Sequence, residues 1–461
     1  MKRVSQLAAI LFSLVALCFV ATRIEYAAAQ GQGGPPAPPP SHPVDPNAKA
    51  GTPGVFTDFT GEAPGNVHHI TAKDLPDPYA TKSSAVFSRP VPRGDAWPQA
   101  PKGFKVELYA ESLKGDDGKA ISPRTIITAP NGDFFVAAQN QGEVLAFRTG
   151  PDGKMAQMSV FASKLNLPFG LAFYPPGPNP KYLYVGNTNA VLRFPYANGD
   201  LKATADPETV VTNIPAGPNH FSRGVVFSLD GKQMWISVGS KSNVHDTDAD
   251  DTEFHRADIL VADPTTLNQD AKNLEVYAWG IRNGEAINVN PTTGELWTSV
   301  NERDELGDNI PPDYITHVQK GGFYGWPWYY TGGNPDPRFP AKHPELKDKA
   351  IVPDVLMEPH NASLNITFYE GKQFPKEYQG QLFGAEHGSW NRSVRTGYEV
   401  VLVPLKNGHA TGEYQDFLTG FVTASGDCWG RPVGVTVAND GSLMVTDDGS
   451  NSIWRVTYAK Q

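Results

Sequence analysis

The stretch GVTVANDGSLMVTD, residues 434–447, places two β-rich runs on either side of an Asn-Asp-Gly turn. Two such runs joined by a turn of this kind predict a pair of antiparallel strands. Five similar units precede it in the chain. Their first runs are TIITA from Thr125, GLAFY from Gly170, GVVFS from Gly224, AINVN from Ala286 and NITFY from Asn365. Their second runs are DFFVAAQ from Asp133, KYLYVGN from Lys181, KQMWISV from Lys232, GELWTSV from Gly294 and GQLFGAE from Gly380.

The spacing of these six units predicts the fold. Gly132 and Gly441 are 309 positions apart, or about 62 per unit over five steps, which suits a four-stranded blade with long loops. No segment keeps an apolar period of 3.6 residues, so helices are minor. We therefore predict an all-β, six-bladed β-propeller over residues 101–461, a radial arrangement that leaves few exposed sheet edges. The run FKVELYA from Phe104 should pair with SIWRVTY from Ser452 to close the ring, and a large β-sandwich is the alternative fold.

Composition limits the classes of partner and structure. The 461 residues include 45 glycines and 41 prolines, yet 39% of the residues are hydrophobic, so the chain is rich in turns and can still bury a core. A wholly disordered or collagen-like chain is excluded. The net charge of −10 argues against a nucleic-acid partner, whose phosphates require a basic surface.

The N-terminal residues predict export. Lys2 and Arg3 precede an apolar run from Leu7 to Ala21, and residues 27–29 offer an Ala-x-Ala cleavage site. This pattern is typical of a signal peptide over residues 1–29. The run is shorter than the roughly 20 residues that span a bilayer, so we expect no stable membrane span after cleavage and a periplasmic or secreted protein.

Residues 30–100 form a proline-rich tether and an N-terminal extension, which we expect to be disordered or to wrap the surface of the propeller. Cys428 is then the only cysteine of the mature chain, and the sequence has no CxxCH motif for haem attachment. Redox chemistry would therefore require a bound, non-haem cofactor.

Function in a propeller resides in loops at one mouth of the channel, so the polar residues before each first strand and after each second strand are the candidates. His220 precedes the third unit and suits proton transfer. Arg282 precedes the fourth unit, and the acidic loop 301–309 that follows that unit suits a hard metal such as calcium. Arginine, histidine and tryptophan in the last two units suit a flat anionic ligand; these are His387, Trp390, Arg392 and Arg431. Each of these side chains has a purely structural alternative: capping or packing for the histidines, surface ion pairs for the charged loop.

Five strings in a fixed order carry a resemblance to a known family: WGIRNG, VNERDELGDN, GGFYGWPW, EHGSWNR and WGRPVGV. From about Gly103 to Tyr458 the chain resembles the soluble quinoprotein glucose/sorbosone dehydrogenases. These are six-bladed propellers that bind pyrroloquinoline quinone (PQQ) and calcium. NERDELGD and GSWNR resemble the sorbosone branch more than the glucose branch.

The resemblance implies roles for individual residues. His220 falls on the family's general base, Arg282 and Asn283 on an arginine-asparagine pair beside the cofactor, and Arg431 on an arginine that binds a PQQ carboxylate. Glu302 and Arg303 occupy the loop whose backbone carbonyls hold calcium, where the glucose enzymes have Gly-Pro. Trp429 replaces a second arginine, and the cofactor lysine is substituted around His387.

These inferences give three hypotheses for function. The first is an exported PQQ- and calcium-dependent dehydrogenase that oxidises an aldose, a sorbosone-like sugar aldehyde or a related small alcohol, with His220 as base and a separate electron acceptor. The second is a calcium-dependent propeller hydrolase of the lactonase type. The third is a secreted propeller that acts as a non-catalytic binding module.

Overall fold

Six antiparallel sheets surround a central channel in the computed structural model, which describes residues 42–115, 118–217 and 219–459. The predicted signal peptide and the first part of the predicted tether lie outside these residues. Two strands precede blade 1 along the chain: β1 (Val67–His68) and β2 (Phe104–Ala110). Five short 3-10 helices lie in the loops: Gln139–Gln141, Asp251–Glu253, Ala271–Asn273, Pro344–Lys349 and Lys376–Tyr378.

The first three blades follow one another along the chain. Blade 1 contains β3 (Ile126–Thr128), β4 (Phe134–Ala138), β5 (Glu143–Thr149) and β6 (Met155–Ala162). Blade 2 contains β7 (Gly170–Tyr174), β8 (Tyr182–Asn187), β9 (Ala190–Pro195) and β10 (Glu208–Thr212). Blade 3 contains β11 (Val225–Phe227), β12 (Met234–Val238), β13 (Asp258–Ala262) and β15 (Glu275–Trp279), while β14 (Gln269–Asp270) adds in parallel to β10.

The last three blades complete the ring. Blade 4 contains β16 (Gly284–Val289), β17 (Leu296–Val300), β18 (Pro312–His317) and β21 (Val355–Pro359), with a hairpin of β19 (Tyr329–Tyr330) and β20 (Asn334–Pro335). Blade 5 contains β22 (Ser363–Phe368), β23 (Leu382–Glu386), β24 (Glu399–Val403) and β27 (Tyr414–Leu418), with a hairpin of β25 (Leu405–Lys406) and β26 (His409–Ala410). Blade 6 contains β28 (Pro432–Val437), β29 (Leu443–Asp447), β30 (Ser452–Tyr458) and β2.

The six predicted strand pairs are confirmed as the two innermost strands of the six blades. The predicted closure of the ring is also confirmed: β2 pairs with β30 in antiparallel register, from Phe104 opposite Tyr458 to Ala110 opposite Ile453. An N-terminal strand thus completes the C-terminal blade and pairs with the outer edge of β30.

The core lies between neighbouring sheets. The large apolar side chains of β17, β18, β22 and β23, including Trp297, Ile315, Ile366 and Leu382, are buried in one cluster. The innermost strands of all six blades line a central cavity of about 130 Å³. Cavities that bind small molecules usually have roughly 300–1,000 Å³, so a ligand of sugar size requires a loop-lined site at an end of the channel.

The N-terminal extension lies against the outer side of the later blades. Strand β1 pairs with β27 and makes a fifth strand for blade 5. Isolated bridges join Ile70 to Leu356 and Gln99 to Thr419. Residues 42–103 therefore wrap the propeller, one of the two outcomes expected for the extension. No helix in the described part of the chain is long and apolar enough to cross a membrane.

Trp454 tests the closing seam, because its side chain is fully buried in β30 and its Nε1 donates to Asp447 Oδ2 at 3.1 Å. Trp454→Ala should lower the free energy of unfolding by about 3–5 kcal/mol, the usual cost of a large cavity in a core. Urea unfolding measures this change, with Val352→Ala, at a residue 53% exposed, as the control. A loss below about 1 kcal/mol would contradict the seam described above.

Candidate active site

The loops that carry the predicted residues meet at one end of the channel. In each blade the start of the first strand lies beside the end of the second, as in the pairing of Gly284 with Val300 and of Pro432 with Asp447. Each predicted residue lies before an innermost strand or after its neighbour, at this end, which we call the mouth. The turns between first and second strands lie at the opposite face.

His220 is half-buried at the mouth, and its tautomer follows from its contacts. Its Nδ1 lies 2.8 Å from the carbonyl oxygen of Ser240 and 2.9 Å from Ser240 Oγ. Ser240 Oγ donates its proton to Ser242 O at 2.7 Å, so both atoms near Nδ1 act as acceptors. Nδ1 therefore carries the proton, and Nε2 keeps a lone pair that can accept one.

Two buried arginines hold the backbone around His220, whose φ of 45° is unusual for a residue other than glycine. Arg223 donates to the carbonyls of His220 at 2.7 Å and Pro215 at 2.7 Å. Arg256 donates to the carbonyls of Asn219 at 2.9 Å and Ser240 at 3.0 Å. These contacts fix a loop conformation that the chain would otherwise adopt only at a cost in free energy.

The electrostatic surroundings keep the imidazole neutral. Burial, reinforced by the positive charge of Arg282, lowers the pKa of His220 well below its usual value of 6.5, and Arg256 acts in the same direction. A neutral imidazole with an open Nε2 is the state that a general base requires.

Arg282 is buried, and acceptors surround its guanidinium. Nε donates to Asn243 O at 3.0 Å, Nη1 to Glu302 O at 2.7 Å, and Nη2 to Asn243 Oδ1 at 2.9 Å. Nη2 also lies 3.3 Å from Asp304 Oδ2. Arg282 thus orders the predicted metal loop and contributes positive charge to the mouth, while its N–H groups are already engaged.

Glu302, within this loop, and Asp313, in β18, are both buried acids. The Glu302 amide donates to Asp313 Oδ1 at 2.7 Å. Burial raises the pKa of Glu302 to about 7, although Arg282 opposes the shift, and burial raises the pKa of Asp313 to about 7. Among the described residues, Glu302 Oε1 and Asn301 Oδ1 are buried without a hydrogen-bond partner. Two such oxygens in one loop are suitable ligands for a hard cation.

Three side chains meet at that of Asp448, just after β29. Its Oδ1 accepts from Arg431 Nε at 2.9 Å and from His387 Nε2 at 3.0 Å, and its Oδ2 accepts from Arg124 Nη1 at 2.8 Å. We call these four residues the Asp448 cluster. Burial opposes ionisation of Asp448, but Arg431, His387 and Arg124 together lower its pKa below the ordinary value. Burial, with help from Arg431, lowers the pKa of His387 to about 4 against the opposing effect of Asp448. The cluster therefore contains two guanidinium cations and one carboxylate, with a neutral imidazole.

A continuous series of hydrogen bonds joins His220 to the Asp448 cluster around the mouth. The links, in order, are His220 Nδ1 to Ser240 O at 2.8 Å, Ser240 N to Arg282 O at 2.7 Å, Arg282 Nη1 to Glu302 O at 2.7 Å, Glu302 N to Asp313 Oδ1 at 2.7 Å, Ala362 N to Asp313 Oδ2 at 2.8 Å, His387 N to Ala362 O at 3.0 Å and His387 Nε2 to Asp448 Oδ1 at 3.0 Å. We call this series the mouth arc. It links the loops that carry His220, Arg282, Glu302, His387 and Arg431, which are far apart in sequence, at the same end of the channel.

Asn283 lies at the mouth next to Arg282 in the chain and close to His220. Its Nδ2 donates to Glu285 Oε1 at 2.9 Å. Position 239 must be glycine, because an added Cβ would collide with Asn283 Oδ1 and with the Cβ of His220. Asn283 and His220 thus both lie against Gly239.

Three of the predicted residues have other contacts. Arg303 donates to Asp336 Oδ2 at 2.6 Å, and Arg392 to Glu358 Oε2 at 2.9 Å. Trp390 stacks on Phe87 of the extension, with ring centroids 5.2 Å apart. No hydrogen bond or ring contact among the described residues joins Trp390 or Arg392 to the Asp448 cluster. Their roles in binding a cofactor, and that of Arg303 in binding a metal, stay predictions.

Sequence reasoning missed several residues of the site. Arg124 precedes the first strand of the first unit and Asp448 follows the second strand of the sixth, so the rule that selected Arg282 also selects them. Ser240 and Arg256 act through backbone carbonyls and through contacts between distant loops, and no motif marks such contacts.

Comparisons with known proteins agree with this fold. The family model described as Glucose / Sorbosone dehydrogenase matches residues 121–453. The chain belongs to this family, and the predicted family resemblance is confirmed.

Relatives with similar sequences include an uncharacterized protein of Borreliella burgdorferi, 29% identical over 374 residues, which cover 78% of this chain and 91% of that protein. A pyrroloquinoline quinone-dependent pyranose dehydrogenase of Coprinopsis cinerea is 25% identical over 399 residues, or 73% of this chain and 52% of that protein. An aldose sugar dehydrogenase of Escherichia coli is 27% identical over 287 residues, or 59% of this chain and 70% of that protein. The chain thus spans about half of the Coprinopsis relative.

Solved structures share the fold. The holo form of the PQQ domain of the Coprinopsis cinerea pyranose dehydrogenase superposes with a TM-score of 0.65 at 22% identity, covering 81% of this chain and 100% of that chain. The calcium structure of a Trichoderma reesei carbohydrate-active enzyme of family AA12 superposes with a TM-score of 0.66 at 21% identity, with coverage of 81% and 100%. At these identities the likeness supports the propeller architecture alone.

The low pKa of His387 predicts a loss of stability in acid. The His387 side chain takes up a proton near pH 6.5 in the unfolded chain, whereas in the folded chain its pKa is about 4. This residue should therefore lower the free energy of unfolding by up to roughly 3 kcal/mol as the pH falls from 7 to 4. His387→Gln should reduce the difference between urea unfolding at pH 7 and at pH 4.5. An equal pH dependence in wild type and variant would contradict the assigned neutral state.

Proposed function

We propose that the protein is a PQQ- and calcium-dependent dehydrogenase that oxidises an aldose, a sorbosone-like sugar aldehyde or a related small alcohol. The observation that carries the proposal is the mouth arc, which connects a neutral base with an open Nε2 to a cluster rich in cations. Membership of the glucose/sorbosone dehydrogenase family and the names of the relatives support an activity of this kind. The N-terminal sequence supports export to the periplasm or the medium.

The residues present fit an anionic quinone. PQQ carries three carboxylates, so an acidic protein must gather positive charge locally to bind it. The two positive charges of Arg124 and Arg431 exceed the single negative charge of Asp448 by one. Among the described residues, Nη1 and Nη2 of Arg431 make no hydrogen bond, and these atoms can bind a carboxylate in bidentate fashion. Arg282 adds charge, but its donors are already used.

The residues present also fit a hard cation, through donors that differ from the expected ones. The Glu302 carbonyl, which the resemblance assigns to calcium, accepts from Arg282 Nη1 at 2.7 Å. The buried and unpartnered Oε1 of Glu302 and Oδ1 of Asn301 remain as oxygen donors in the same loop. Glu302 and Asn301 would therefore hold the metal with their side chains.

When bound, the quinone would accept a hydride and the metal would polarise its carbonyl. The chain's own residues supply the acid–base chemistry. His220 takes the hydroxyl proton of the substrate at Nε2, while Ser240 holds the opposite side of the ring. The resulting imidazolium would share the mouth with Arg282, so it should release its proton readily. The electrons taken from the substrate would then pass to a separate acceptor.

His220→Gln tests the base directly. Purified protein with PQQ and Ca²⁺ should reduce an artificial electron acceptor with some member of an aldose panel, and the variant should lose about 10²–10⁴-fold in kcat. Its affinity for PQQ should stay within a few-fold of wild type. Because the pKa of His220 lies well below 6.5, the acidic fall in kcat/KM should lie below that pH.

The exposed histidine of the β25–β26 hairpin provides the matched control, His409→Gln, which should leave turnover unchanged. Wild-type protein that binds PQQ and is silent across the panel would reject the dehydrogenase. Hydrolysis of lactones with calcium and without PQQ would support the lactonase instead, and an absence of both activities would support a binding module.

Arg431→Gln tests the cation cluster. Loss of one guanidinium from a site for a carboxylate should weaken PQQ binding by at least about tenfold, measured by quenching of tryptophan fluorescence. Arg148→Gln is the matched control, because Arg148 pairs with Asp133 at the face opposite the mouth. Equal affinities of the two variants for PQQ would remove Arg431 from the site.

A further inference from the structure

A segment of the N-terminal extension, residues 79–91, contacts three successive loops at the mouth. These loops are residues 301–311 between β17 and β18, residues 387–398 between β23 and β24, and residues 419–431 between β27 and β28. The first carries Glu302 and the last carries Arg431. The segment precedes residues 121–453, the part of the chain that matches the family model.

The first set of contacts reaches the loop that carries Glu302. The amide of Tyr79 donates to Leu306 O at 2.7 Å, and the amide of Asp308 donates to Thr81 Oγ1 at 2.7 Å. Gly307 lies between these two bonds with a φ of 132°, and an added Cβ there would collide with Thr81. The loop and the segment are therefore in direct backbone contact.

The second set reaches the loop between β23 and β24. The amide of Val86 donates to Trp390 O at 2.7 Å, and the ring of Phe87 stacks on Trp390 with an interplanar angle of 8°. Asn391 is fully buried and uses both ends of its amide: Nδ2 donates to Ser84 O at 2.6 Å, and Oδ1 accepts from Glu305 N at 2.9 Å. Asn391 thus ties two of the loops to each other and to the segment.

The third contact reaches the loop that carries Arg431. The amide of Val91 donates to Cys428 O at 2.8 Å, three residues before Arg431. Over 13 positions the extension therefore engages the loops of blades 4, 5 and 6 in turn. Loops of this length are usually the most mobile parts of a propeller, unless other parts of the chain hold them.

We propose that residues 79–91 act as a brace that holds these three loops in register and so fixes the spacing between Glu302 and Arg431. The brace residues are positioning residues, since they act through the loops. A site that must bind one rigid anion beside one cation loses affinity when its two sides move independently. The link to PQQ affinity rests on the proposed function, whereas the ordering of the loops does not.

Phe87→Ala tests the brace, and Phe254→Ala is its matched control. Phe254 is an aromatic residue, 58% exposed, on the mouth-side loop of blade 3, and no hydrogen bond among the described residues joins that loop to the brace. Hydrogen exchange is measured by mass spectrometry on the protein without PQQ. In the Phe87→Ala variant, peptides that cover residues 387–398 and 301–311 should exchange about three- to tenfold faster than in wild type, because an aromatic pair commonly contributes free energy in this range. The control should leave exchange in these peptides unchanged.

Thr81→Val is a second variant that leaves folding intact, because Thr81 is exposed and the change removes only the hydroxyl that accepts from Asp308. It should speed exchange in residues 301–311. PQQ titration with Ca²⁺ should then show a weaker affinity for both brace variants, by roughly three- to tenfold, with the control equal to wild type.

The two readouts separate the possible failures. Unchanged exchange in both brace variants overturns the brace, whatever the protein binds. Faster exchange with unchanged PQQ affinity overturns its role in the site. If wild-type protein does not bind PQQ, the proposed function fails, while the exchange data still decide whether the brace orders the loops.

Discussion

One buried carboxylate organises the charged end of this propeller. Asp448 accepts hydrogen bonds from Arg124 of blade 1, His387 of blade 5 and Arg431 of blade 6, across the seam where the ring closes. Removing one partner from a buried group of this kind commonly costs about 3–5 kcal/mol, because the remaining charges lose their compensation. The same carboxylate leaves one positive charge in excess. It therefore stabilises the closed ring and also creates a place where an anion can bind.

Several arginines gather at the mouth of this acidic protein. The chain carries a net charge of −10, yet Arg223, Arg256, Arg282 and Arg431 gather at the mouth. Their nearest acceptors are mostly backbone carbonyls, which fix the loops without cancelling the charge. Burial is the main cause of the lowered pKa of His220, and the positive charges of Arg282 and Arg256 reinforce it.

The sequence predicted the inner half of every blade and much less of the outer half. The second strand of each blade is almost wholly buried, and the first strand is at least partly buried; both are bounded by turn residues, so runs such as GLAFY and KYLYVGN stand out. Outer strands such as β6 and β10 are partly exposed and mix polar with apolar residues, and their pattern is weak. Strand β1 has only two residues and exists through its pairing with β27.

At the site, position relative to the strands identified His220, Arg282 and Arg431. The same rule would have found Arg124 and Asp448, but contacts made through backbone carbonyls, such as those of Arg256, depend on the three-dimensional path of the loops. Trp390, expected at a cofactor, stacks on Phe87 of the extension. The sequence did not predict this contact, because no local signal shows which distant segment will cover a loop.

His220 and the Asp448 cluster should face one shared binding site. A crystal structure of the protein with PQQ and Ca²⁺ would show whether they do. We expect density for the quinone at the mouth, with a carboxylate on Arg431, the cation beside Glu302 and Asn301, and His220 Nε2 facing the space left for a sugar. The opposite face has a cavity of about 580 Å³ lined by Arg148 and Arg455, and density for the quinone in that cavity, with the mouth empty, would contradict it.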